Sequence, residues 1–330
     1  MMNHDPDCDV LDDLKAARPP AYRRGPHGIA LLAAAFTWPL LFVGGLVTTY
    51  RVGMAVPDWP TTFGINMFLY DMSRASWAVF GEHTHRLYGA AVGAFTVLLM
   101  LDFLAFERRP RMKWLGVVAL LAVIAQGVLG GLRVRYNSTT LAAVHGAMAQ
   151  AFFGLMVALC VMTGRGWFAP ARRVAGVGKV RRQSAALLGL LALQIAIGAW
   201  LRHYGDVNAL AIHAVAGVAV LGHGSATAFR IGRERGQMPE LVPASWALAL
   251  LLALQIALGV GAWWLLRPYD GIARAVTLPA ALIRTGHQAN AGLLLASAVV
   301  LTIRAFGQLT VGPGPGGSFE TSARDLEAVA

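Results

Sequence analysis

The chain has 330 residues, 56% of them hydrophobic and 14% charged, with a formal net charge of +11 and a mean hydropathy of +0.56. So much apolar sequence with so little charge excludes a soluble domain and describes a polytopic membrane protein. The basic excess might be thought to suit nucleic acid, but it clusters in connections on one side of the apolar runs, so it follows membrane topology and no nucleic-acid surface is expected.

Apolar runs near the bilayer-crossing length of about 20 residues fall at 29–50, 84–106, 114–132, 141–163, 184–201, 208–229, 244–266 and 286–306. They predict eight transmembrane helices in an all-α integral membrane fold. Residues 1–28 read as a polar tail, and the first run lacks a small-residue cleavage site, so it reads as a retained helix. Arg23 and Arg24 precede the first run; Arg108, Arg109, Arg111 and Lys113 join the second to the third; Arg172, Arg173, Lys179, Arg181 and Arg182 join the fourth to the fifth. The positive-inside rule then puts both termini in the cytoplasm, with the odd-to-even connections outside the cell (inner) membrane. The first outer loop, 51–81, carries Pro57-Asp58-Trp59-Pro60, and its Trp59, Phe63, Phe68, Tyr70 and Trp77 suit an interfacial cover. Its positional counterpart, from Arg267 to Arg284, has Tyr269 as its one aromatic residue. The glycine- and proline-rich tail 307–330 cannot continue a helix.

The chain repeats itself. Gln126 is followed by Gly130 and Arg133, with His145 nineteen residues after the glutamine; Gln194 is followed by Gly198 and Arg202, with His213 again nineteen residues on. Gln255 and Gly259 return in the seventh run, with His287 after a longer loop, while the first run keeps only Gly44 and Gly45. The unit is a helical hairpin, and four hairpins make two pseudo-symmetric four-helix bundles, 29–163 and 184–306, joined by a basic cytoplasmic linker, 164–183. Small residues at such spacing let helices approach closely in lipid, and packing alone accounts for most of these glycines.

His85, His145, His213 and His287 each stand near the outer start of an even-numbered run. A histidine inside a span is costly and functional by default. Four at one depth ask for a shared kind of ligand, and haem iron leads. His85 would pair with His145 and His213 with His287, each pair bridging a macrocycle between facing helices. Helix N-termini disfavour imidazolium and so favour the ligating form. No haem-attachment or thiolate motif accompanies Cys8 and Cys160, so haem would be held non-covalently. His83, His203 and His223 do not match the repeat. Glu82 lies three residues before His85, where it either caps its helix or points into the site to handle protons. No carboxylate precedes His213 or His287 in this way, which suggests one reactive and one supporting half. Arg86, Arg133, Arg135, Arg202, Arg267, Arg274 and Arg284 lie on the outer side, where they either pair with haem propionates or snorkel to lipid headgroups. Asp102 has no assigned role.

Glu82-x-x-His85-Arg86, His145, His213, His287-Gln288 and Pro57-Asp58-Trp59-Pro60, in this topology, resemble haem A synthase over nearly all of 29–306. That family converts haem O to haem A for cytochrome oxidase. The resemblance implies that His85 and His145 hold the substrate haem O, and that His213 and His287 hold a haem b cofactor. It implies that Glu82 acts at the substrate site, and that two hydroxylations of the C8 methyl give a geminal diol that loses water to a formyl group. Haem O synthase and cytochrome oxidase assembly factors are the implied partners, besides membrane lipid. Some family members carry a cysteine pair in the first outer loop; this chain has none there, and resembles the cysteine-lacking branch. A dihaem b-type electron carrier and a haem transporter or chaperone are the alternatives from other classes.

Overall fold

The computed structural model describes residues 21–266 and 275–312. Eight helices, all long and apolar enough to cross a membrane, make up the fold. They are α1 (Arg24–Thr49), α2 (Trp77–Phe106), α3 (Pro110–Arg135), α4 (Thr139–Thr163), α5 (Val177–Tyr204), α6 (Val207–Arg233), α7 (Val242–Leu266) and α8 (Leu278–Gly307). Tyr269, Arg267 and Arg274 lie outside the described residues.

The even-numbered helices all begin at one end of the molecule, hereafter the histidine end. Each starts at a side-chain cap: Ser76 accepts from the Val79 amide, Ser138 from Leu141, Asp206 from Asn208 and Thr277 from Ala280. Such caps satisfy amides that a helix start otherwise leaves unpaired. Several helix starts lie earlier than hydropathy suggests, those of α5 at Val177 and α8 at Leu278 among them. α2 begins at Trp77 because the polar turn Gly81–Arg86 belongs to the helix, although it masks the apolar signal. α1 begins at Arg24, inside the stretch expected to be a tail.

Two closed rings of four helices result. α1 packs on α2 and α4, with α3 between those two; α5 packs on α6 and α8, with α7 between those two. Each ring has its own apolar core, towards the end opposite the histidines. Ala33, Leu99, Phe103, Ala119 and Met156 fill the first; Leu187, Ile231, Leu248, Leu252 and Leu301 fill the second. The rings meet where α8 packs on α1 and α4, and α4 on α5. α8 is accordingly the most buried of the candidate spans. Outside, the surface is inverted relative to a water-soluble protein: Val215, Val218, Trp246 and Leu250 are exposed, as lipid contact requires.

The opposite end is tied by polar locks. The Arg23 guanidinium forks onto both Asp102 oxygens at 2.9 and 2.8 Å, joining the start of α1 to α2. This gives a structural part to a carboxylate that the sequence left without one. Glu107 accepts from Arg109, which also donates to the Met162 carbonyl. The basic linker is ordered: β3 (Arg172–Val174) pairs in parallel with β4 (Leu309–Val311), and Arg181 donates to the carbonyls of Ala305 and Leu309. The end of α8 is thereby strapped to the segment joining the two rings.

Candidate functional site

The four repeated histidines form two pairs. Ring centroids of His85 and His145 lie 6.4 Å apart, and those of His213 and His287 lie 6.1 Å apart, in near edge-to-face orientation. Each ring is only partly buried. Counting from their caps, the four residues stand two to three turns inside their helices. The helix-terminal field fades within the first turn, so it does not select the neutral imidazole as the sequence pattern suggested. Local hydrogen bonding does so at His287. Its Nδ1 lies 3.1 Å from the Gln255 carbonyl, and its Nε2 lies 3.3 Å from the Gln255 side-chain amide, itself held by Asn290. Nδ1 donates to the carbonyl and Nε2 keeps a lone pair, which is the ligating tautomer.

A glycine on the preceding helix makes room for every one of these rings. A Cβ added at Gly44 would stand 2.7 Å from His85 Cε1; at Gly198, 2.9 Å from His213 Cε1; at Gly259, 2.9 Å from His287 Cε1; and at Gly130, 3.3 Å from His145 Cε1. These glycines are therefore more than helix-packing residues: each sets the position of an imidazole. The glutamine one turn earlier belongs to the same device. The Gln194 amide donates to the His213 carbonyl at 2.8 Å, and Gln126, with its amide nitrogen turned to the ring, reaches His145 Nδ1 at 2.9 Å. Leu40 stands in the corresponding place on α1, and the backbones of Leu40 and Gln194 lie within reach of the His85 and His213 rings.

Loop 51–76 folds back onto α2 and α3 at the histidine end. Asp58 organises its turn, accepting from the Phe63 and Gly64 amides at 2.8 Å each and from the Thr61 hydroxyl at 2.5 Å. Burial alone would raise its pKa, but the Gly64 amide, the Thr61 hydroxyl and the Phe63 amide outweigh it and hold the carboxyl at about 2. β1 (Thr61–Thr62) and β2 (Ile65–Asn66) form the hairpin that follows. Trp59 lies against α3 at Gly131, where a Cβ would meet the indole at 2.3 Å. Of the expected aromatic cover, Trp59 and Tyr70 thus pack inward in part, whereas Phe68 and Trp77 are well exposed.

Glu82 is not a cap, because Ser76 fills that place. It is 2% exposed; one oxygen accepts from the Val56 amide and the other from Arg86, both at 2.9 Å. Arg86 is likewise committed to the loop, donating to the carbonyls of Asp58, Thr61 and Val56 at 2.7, 2.9 and 3.0 Å. Arg86 is therefore neither a lipid-facing snorkel nor free for a propionate. The Glu82 carboxylate reaches the histidine pair indirectly: Arg133 lies in electrostatic range of Glu82, and of both His85 and His145. His83 turns to the loop, with Nδ1 3.1 Å from the Thr62 hydroxyl and its ring beside Tyr70. His223 bonds the Gln183 carbonyl, away from both pairs.

A family model described as "cytochrome oxidase assembly protein" matches residues 27–211. The chain belongs to that family. It is the family of haem A synthase, and the match includes Glu82, His85 and His145 but stops two residues before His213. Among curated proteins none matches the chain.

A haem fits the arrangement that this family member presents. Two metal–imidazole bonds of about 2.0 Å, with about 1.1 Å from each ring centre to its nitrogen, require centroids roughly 6.2 Å apart; both pairs lie close to that separation. Among the described residues no group of three or more His, Cys, Asp or Glu is placed to hold a bare metal ion. Each pair brings together two imidazoles from opposing helices.

Proposed function

We propose that the chain is a haem A synthase of the cell (inner) membrane, with both termini in the cytoplasm. It oxidises the C8 methyl of haem O by successive hydroxylations, and loss of water leaves the formyl group. The observation that carries this reading is the pair of glycine-cleared histidine couples at one end of two helical rings, in a chain of the cytochrome oxidase assembly family.

His85 and His145 hold the substrate haem O, and His213 and His287 hold haem b. Bound haem b supplies electron transfer. The protein's part is position and exclusion. Gly44 and Gly130 fix where the first two imidazoles stand, while loop 51–76, clamped by Arg86 and Asp58, covers that site from water. Glu82 is a carboxylate of α2 bonded to this cover, and no carboxylate stands in the equivalent place before His213 or His287. Glu82 takes up or delivers protons during oxidation, with Arg133 as the neighbour that relates its charge to the histidine pair. Both pairs at one end weigh against the dihaem carrier, since a relay across the membrane needs haems near both faces.

Haem content tests the assignment. His213→Ala and His287→Ala should each lower bound haem b while leaving a folded protein. Unchanged haem content and spectrum in both variants would remove the cofactor site.

A further inference from the structure

Between the two rings, at the histidine end, positive charge gathers without matching carboxylates. Arg133 comes from α3, Arg202 and His203 from the end of α5, and Arg284 from α8; all three arginines lie in electrostatic range of His203. Arg51 adds a further cation beside Arg284. The carboxylate in range of Arg133 is Glu82, already bonded to Arg86 and to the Val56 amide. Among the described residues, Arg202 and Arg284 have no carboxylate partner.

Their hydrogen bonds are also incomplete. Arg202 uses one terminal nitrogen on the Gly45 carbonyl and the Thr49 hydroxyl at 2.7 and 2.6 Å, and its Nε is buried with no partner. Among the described residues, the Arg284 guanidinium makes one hydrogen bond, to the Arg202 carbonyl at 3.2 Å. The Arg133 guanidinium makes no hydrogen bond among the described residues, and it turns the edge carrying its two terminal nitrogens to Gly53, where a Cβ would stand 2.8 Å from both. Glycine there leaves room for that edge of the guanidinium beneath the loop. Partly buried guanidinium groups that repel one another and leave donors unused are stabilised by an anion with planar acceptor geometry. Arg133 is in range of His85 and His145, and Arg202 is in range of His287, so this seam adjoins both histidine pairs.

We propose that Arg133, Arg202 and Arg284 form one carboxylate receptor, shared between the rings, that binds the propionates of the haems held by the two histidine pairs. This rests on the haem assignment above and adds which residues orient the macrocycle. The receptor uses guanidinium groups from both rings, so a macrocycle seated in either half helps hold the other half in register.

The test compares haem b with its dimethyl ester, which keeps the iron and loses both negative charges. Each is titrated into the full-length protein freed of haem, and binding is followed by the bis-imidazole absorption spectrum. The wild type should bind the free acid at least about tenfold more tightly than the ester, the scale of one charge-assisted hydrogen bond. Arg133→Gln and Arg284→Gln should each shrink that preference, and both variants should still give the bis-imidazole spectrum with the ester, which also shows that they fold. Arg202 is left intact because it also holds α1. Equal binding of acid and ester by the wild type overturns the receptor, as does a preference that both variants retain. If instead an anionic lipid copurifies with the wild type and is lost from the variants with the preference intact, a headgroup phosphate occupies the seam and the proposal is wrong. A wild type that gives no bis-imidazole spectrum with either compound brings down the haem assignment itself, and the receptor with it.

Discussion

Replacing Gly198 by alanine isolates the device on which the site depends. The new methyl would stand 2.9 Å from His213 Cε1 and 3.4 Å from Nδ1, inside the usual carbon–carbon contact of about 3.5–4.0 Å. The ring must retreat by roughly half an ångström to an ångström, at or beyond the tolerance of about 0.5 Å for a functional constellation. Overpacking of this kind costs about 1–3 kcal/mol, and exchanging glycine for alanine in a helix returns up to about 1 kcal/mol. The fold therefore survives, and the strain falls on the imidazole. If that strain appears as lost ligation, haem affinity drops about 5- to 150-fold. Bound haem per polypeptide and the low-spin spectrum measure it. Gly44→Ala, at 2.7 Å, should be the most damaging of the series and Gly130→Ala, at 3.3 Å, the mildest. Gly222→Ala, with nothing within 4 Å, serves as the neutral control. Full haem content in folded Gly198→Ala and Gly44→Ala protein would refute the idea that these glycines place the rings.

Glu82→Gln keeps the shape of the side chain and an acceptor for the Val56 amide, so loop 51–76 should stay closed to protease while conversion of haem O fails; normal conversion would leave Glu82 a purely structural residue. Asp58 makes the loop sensitive to acid. Its folded pKa is depressed from 3.8 to about 2, so its contribution is complete above the unfolded value and is lost as pH falls through this window. Protease sensitivity of the loop should rise between about pH 4 and pH 2, and Asp58→Asn should show that sensitivity already at neutral pH. For Arg23 and Asp102, side-chain exposures of 38% and 14% place the pair near the top of the range for exposed ion pairs. A double-mutant cycle in thermal unfolding should give a coupling of about 0.5–1 kcal/mol; zero coupling would show that the fork adds nothing.

Periodicity and composition made the membrane spans, the hairpin repeat and the partners within each histidine pair legible, because these follow from local patterns: runs of apolar residues and a glutamine, a glycine and a histidine at fixed spacing. What stayed hidden depends on contacts distant in sequence. Asp102 finds Arg23 across 79 residues, β3 finds β4 across the whole second half, and Glu82 finds the Val56 amide only once the loop has folded back. The polar turn Gly81–Arg86 concealed the true start of α2, and with it the fact that Glu82 and His85 lie well inside the helix. The glycines at positions 44, 130, 198 and 259 were visible as a pattern, but their purpose appeared only when the facing imidazoles were placed.

The most direct test of the central claim is the haem inventory of a host that makes haem O but no haem A, extracted with and without this chain expressed. Haem A appearing only with the chain, and disappearing again in Glu82→Gln, is the predicted result. Haem b bound to folded protein with haem O untouched, in the presence of its partners, would contradict it and leave a haem protein that performs no oxidation of haem O.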